Sequence, residues 1–167
     1  MVDLTEHERR TLELMEHMKF AEGESDRGYV LFLAAQADEY LKRILQAFLV
    51  EDELSRGLFE GAFAPFHSLD GKTRAAFAMG LISRDEMAQI QALRKVRNIF
   101  AHSMDASFES VDVVKICSKP PVYCEWLCSR DAFLHMAMNI VLPLLYREIL
   151  VRKQWKRMEL SRSEANS

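Results

Sequence analysis

Between Val30 and Phe48 the apolar residues fall at helical intervals. Val30, Leu33, Ala34, Ala37, Leu41, Ile44, Leu45 and Phe48 follow i, i+3, i+4, i+7 spacing, which lines one face of an α-helix. Tyr29, Phe32 and Tyr40 widen that face, so this helix belongs at the centre of the fold. A second pattern runs through Phe133, Met136, Ile140, Leu144 and Leu145 in a helix expected over residues 131–158, with Pro143 inside it as a kink. No segment alternates with the two-residue period of a strand. With 6 Gly and 4 Pro in 167 residues, the chain also lacks the turns of a β-sandwich.

The remaining elements are bounded by recognisable signals. Residues 3–20 read as a helix with Leu4, Leu12, Met15 and Met18 apolar, and Glu22-Gly23 ends it. Ser25 is placed to cap the central helix. Residues 51–66 are polar, punctuated by Gly and closed by Pro65, and read as short helical turns. A helix from Leu69 to Met79 is ended by Gly80. Ser83-Arg84-Asp85-Glu86 is a capping box opening a helix that runs to about His102. A short helix near Val111–Cys117 stops at Lys119-Pro120-Pro121. The expectation is an all-α fold: one helical bundle of about six or seven helices over residues 1–160, with a polar tail at 161–167.

Several function classes are excluded by composition or by missing motifs. The longest uninterrupted apolar runs, Tyr29–Ala35 and Ile140–Tyr146, are seven residues each, well short of the ~20 a membrane span needs. No membrane partner is expected. The charged N-terminus and 3 Cys point to a cytoplasmic protein with reduced thiols. Cys117, Cys124, Cys128 and His135 do not have the spacing of a zinc knuckle, and buried thiols are the preferred reading. His7, His17 and His67 have no evident ligand partners. There is no Gly-rich phosphate loop, nucleophile elbow or paired-Asp metal motif, so no cofactor is expected.

Charge is nearly balanced, at a formal net of −3, but unevenly spread. Residues 1–26 carry eight acids and three bases, and residues 147–162 carry six bases and two acids. The preferred reading of the second segment is a basic helix end that complements the helix dipole and faces the acidic N-terminal helix. The alternative is a phosphate-contacting patch of Arg152, Lys153, Lys156 and Arg157, with Trp155 interleaved. No second basic cluster supports it. Nucleic-acid contact therefore stays open without a standard reading module: the one inter-helix turn, Gly80–Ser83, leads into Arg84-Asp85-Glu86, whose acids would repel phosphates.

The densest chemistry lies at Leu93-Arg94-Lys95-Val96-Arg97-Asn98-Ile99-Phe100-Ala101-His102. Arg97 shares a helical stripe with Ile90, Leu93 and Phe100. It is therefore expected to be buried and bridged to a carboxylate, Asp26 or Glu39 first. His102 is expected to hydrogen-bond locally, to Asn98, Ser103 or a loop carbonyl. In the competing reading His102 is a general acid or base and Arg97 stabilises a phosphate-centred transition state. An ideal helix separates the two by roughly 140°, which favours the structural role.

Arg97-Asn98-Ile99-Phe100-Ala101-His102 resembles the HEPN motif, Arg and a polar residue followed by His, of a superfamily of helical, commonly dimeric ribonucleases. A longer stretch resembles the mannitol operon repressor family: Glu24-Ser25-Asp26-Arg27-Gly28, Asp38-Glu39, Gly61–Phe66, Ala78–Glu86, and Ile90 with Leu93–His102. That resemblance covers roughly residues 22–117. It implies an all-helical bacterial transcriptional regulator, non-enzymatic and acting through a protein partner. Glu24, Asp26, Arg27, Asp38, Glu39, Arg94, Arg97, Asn98 and His102 are then structural motif residues. The alternatives are a HEPN-type metal-independent endoribonuclease, with Arg97, Asn98 and His102 catalytic, and an interaction module with neither activity. The wide apolar surface also leads us to expect a homodimer.

Overall fold

The computed structural model describes residues 5–118 and 130–165, and these form seven α-helices with no strand among them. In chain order they are α1 (Glu6–Glu22), α2 (Asp26–Phe48), α3 (Glu53–Gly57), α4 (Leu69–Ala78), α5 (Arg84–His102), α6 (Val111–Cys117) and α7 (Arg130–Ala165). The all-α bundle expected from periodicity is what forms. Helix α2 is its axis: α7 packs along it most extensively, α5 and α4 cover other sides, α1 lies across α2 and α7, and α6 rests on α5.

The caps explain the boundaries. Ser25 accepts the Gly28 N–H at the start of α2, and Ser83 and Glu86 close the capping box of α5. Thr5 and Glu8 make a second capping box at α1, a Thr-x-x-Glu signal the sequence also carries. Gly80 turns the chain between α4 and α5 at φ 70°, which a side chain would resist. At Gly71 a Cβ would meet the Pro65 carbonyl oxygen at 2.5 Å, so the first turn of α4 seats directly under the preceding loop.

On the α2 face every apolar residue named through Leu45 is buried except Phe32, which like Phe48 is half-buried. The α1 face differs from expectation. Leu14 and Ala21 are buried with Met18 packed beside them, while Leu12 and Met15 are 48% and 57% exposed. Around a helix Leu12 lies roughly 160° and Met15 roughly 100° from Leu14, so one stripe cannot hold all of them. Helix α7 continues past Met158 to Ala165, because nothing in that stretch breaks a helix. Pro143 lies inside it. The stretch Phe133–Trp155 is long and apolar enough to cross a membrane by length and composition. Its apolar residues Phe133, Met136, Ala137, Ile140, Val141, Leu144 and Leu145 are core residues of the bundle.

Candidate functional site

Helix α5 buries Ile90, Ala92, Leu93, Val96 and Phe100. The direction set by Leu93, Val96 and Phe100 leaves Arg97 roughly 65° off-centre, and that offset decides its fate. Arg97 is exposed, and its Nη1 donates to Asn98 Oδ1 at 3.1 Å. The expectation of a buried Arg97 bridged to Asp26 or Glu39 is therefore corrected. The apolar stripe bends away from its position, and the carboxylates are engaged elsewhere.

Asp26 pairs with Arg130 at the start of α7, 3.4 Å away. Glu39 pairs with Arg43 one turn on, at 2.8 Å. Asp38 accepts from the buried Lys72 Nζ at 2.7 and 2.9 Å, and that ammonium also donates to the His67 carbonyl. Arg130 performs the tethering role assigned to Arg97. It donates to the carbonyls of Glu24 and Ala21 and lies 4.5 Å over the Tyr29 ring.

His102 ends α5, and its exposed side chain makes no hydrogen bond among the described residues, so the expected local bond is also corrected. The Asn98 oxygen is already taken by Arg97. Arg27 reaches the same end of α5 from α2, its Nη2 donating to the Ser103 carbonyl at 2.6 Å and the Met104 carbonyl at 3.2 Å. Arg94 is half-buried. Its Nε donates to Gln91 Oε1 at 2.9 Å, and its Nη2 lies 3.6 Å from Asp70. The Gln91 hydrogen bond, with Arg74 and Arg94 nearby, holds the Asp70 carboxyl below the usual carboxylate range despite some burial. Thus Arg94 is tied into an α4–α5 network, whereas Arg97 and His102 face solvent. Chemically the α5 terminus offers a cation, an amide and an imidazole to a docking surface or a phosphate.

A second polar centre was missed. Glu148 of α7 is almost wholly buried, and accepts from Arg10 of α1 through both carboxylate oxygens and from Arg152 Nε at 3.0 Å. Burial pushes the Glu148 carboxyl up, but the two guanidiniums outweigh it and hold the group below its ordinary value. The Glu148 hydrogen bond in turn raises Arg10. Burial also raises the Tyr40 hydroxyl. The signal for Glu148 was available: it falls at i+4 from Leu144 and i+3 from Leu145, inside the apolar stripe.

This centre also corrects the reading of the basic segment. Helices α1 and α7 do meet, but through a base on α1 and an acid on α7. Arg147 is likewise committed, to the Leu81 carbonyl and to Glu86, both at 2.7 Å. These residues sit far inside α7, so the helix-end dipole does not account for them. Of the phosphate-contact candidates, Arg152 and Lys153 are exposed, and the side chains of Lys156 and Arg157 lie outside the described residues.

Among the described residues no group of His, Cys, Asp and Glu could hold a metal ion. Cys117 is a buried thiol and His135 is exposed, while Cys124 and Cys128 lie outside the described residues. The Gly80–Ser83 turn is pinned to α7 by Arg147, and α5 packs one face into the core.

No family model and no curated protein sequence matches the chain. Among solved structures it is similar to a chain of the X-ray structure of the MtlR–HPr complex from Escherichia coli, at 15% sequence identity. The TM-score is 0.51, with 90% of this chain and 96% of that chain covered. The likeness extends over nearly the whole of both chains, and what the two share is the fold.

Proposed function

We propose that this chain is a regulatory, non-enzymatic protein of bacterial transcription control that acts through a protein partner of the HPr type. The observation that carries the reading is the fold shared, over 90% of the chain, with a protein crystallised as a complex with HPr. The resemblance of residues 22–117 to the mannitol operon repressor family points the same way. So does the acidic, packed N-terminus of α5, which offers no major-groove reader. In this reading the protein is cytoplasmic and homodimeric, and the α5 terminus with Arg97, Asn98 and His102 belongs to a recognition surface. Isothermal titration of the purified protein with Escherichia coli HPr tests it. Saturable binding with a Kd of about 10 μM or tighter is expected. Absence of heat and of co-elution at about 100 μM of each protein sinks the HPr assignment.

One observation favours a second reading, a HEPN-type metal-independent endoribonuclease: Arg97 and His102 are both exposed, so both are accessible to a phosphodiester. A second subunit would have to bring the two together, given their separation around the helix. Labelled RNA incubated in EDTA decides. Cleavage by the wild type, lost in a folded His102→Ala variant, replaces the regulatory reading with this one.

A further inference from the structure

A cleft of about 360 Å³ opens between the C-terminal end of α2, α3 and α7. Its volume falls at the lower end of the range for small-molecule sites. The walls carry three kinds of chemistry. Trp155 and Phe59 are half-buried aromatic rings, each fixed by a neighbour: Phe48 lies 5.2 Å from Trp155 and Phe66 5.4 Å from Phe59. Arg56 and Arg152 supply two guanidiniums from elements far apart in sequence. Glu51 and Asp52 supply two exposed carboxylates.

The cations are available. Arg56 is exposed and has no ion-pair partner among the described residues. Arg152 uses Nε on Glu148, which Arg10 also pairs while bridging to Glu6, so Arg152 brings to the cleft two terminal nitrogens with no hydrogen-bond partner among the described residues rather than a surplus of charge. Two guanidiniums on one cleft suit a phosphate group, which they bind by paired N–H donors. Fixed aromatic rings suit a planar base. The carboxylates suit ribose hydroxyls as acceptors, and they repel additional phosphates.

We propose that this cleft binds a nucleoside monophosphate, its phosphate between Arg56 and Arg152 and its base against Trp155. The site is independent of the partner reading and lies apart from the α5 terminus.

AMP is the probe. The Trp126→Phe variant leaves Trp155 as the sole tryptophan of the 2 in the chain, and its fluorescence reports on the site. Saturable quenching by AMP is expected, with a Kd below about 1 mM. Arg56→Ala, an exposed position, should weaken binding about tenfold or more without changing the circular dichroism. Adenosine, ATP and inorganic phosphate should each bind about tenfold more weakly than AMP. Calorimetry with AMP on the unaltered chain gives the same answer should Trp126→Phe not fold. No saturation up to about 5 mM AMP overturns the proposal. So does affinity unchanged by Arg56→Ala, or phosphate alone binding as tightly as AMP.

Discussion

Arg97 and Arg130 show how burial, rather than residue type, assigns work to a guanidinium. Arg97 is exposed with a single side-chain partner one residue away, and Arg130 holds two backbone carbonyls, Asp26 and the face of Tyr29. Arg97→Ala should therefore change stability by less than about 0.5 kcal/mol, and Arg130→Ala should cost about 2–3 kcal/mol from lost charged hydrogen bonds and the cation–π contact. Urea denaturation of both variants checks the order, and equal costs would contradict it. The sequence could not separate these residues. Helical projection places Arg97 near the apolar stripe, but whether a position 65° or so off-centre is covered depends on which helix lies beside it. Arg130 precedes the last helix and carries no periodic signal at all. Glu148 was legible, since a lone acid inside an apolar stripe must be either paired or misplaced.

At the scale of elements, caps and stripes did most of the prediction: Ser25, Ser83 with Glu86, Gly80 and the α2 face all stand where the sequence puts them. What stayed hidden was the pairing between elements, because an ion pair such as Arg10–Glu148 links positions 138 residues apart. Arg10→Ala leaves Glu148 with Arg152 alone. The cost should be about 2–3 kcal/mol, below the ~3–5 kcal/mol of a wholly stranded buried charge. The variant should also raise the Glu148 carboxyl, because burial then meets less opposition, and an NMR titration of that carboxyl is the check. At α4, Gly71→Ala drives a Cβ against the Pro65 carbonyl and should cost about 1–3 kcal/mol, readable as a lowered Tm. A neutral outcome would show that the loop before α4 yields easily.

For the whole molecule, the depressed carboxyls of Glu148 and Asp70 set a direction for acid stability. Each holds its proton more weakly in the folded state than in the unfolded chain, so each contributes stability above the ordinary carboxylate range. That contribution disappears as pH falls below about 4 and through the folded-state values. Denaturation midpoints measured between pH 7 and pH 3 should fall in that window, and less so in Glu148→Gln than in the wild type. Assembly is checked by light scattering: a mass about twice the 19.3 kDa of one chain is expected at micromolar concentration. A monomer mass would contradict the homodimer.

The attachment of α1 has a kinetic consequence. Among the described side chains of this helix, Leu14, Ala21 and Met18 give an apolar grip, and beside them stand polar contacts: Arg10 on Glu148, Thr11 on Tyr146, and the Ala21 carbonyl on Arg130. A segment held this way is expected to open on its own, below the free energy of global unfolding. Its amides should exchange with solvent well before those of α2, and once pH falls through the depressed Glu148 range the protection of α1, taken relative to the intrinsic exchange rate at each pH, should drop before that of α2. Each such opening bares the Phe32 edge that His17 now covers and the shelf beneath Leu14. The N-terminal helix is thus docked largely through polar contacts, one of them to a buried carboxylate, and acid should loosen it before it reaches the α2 face.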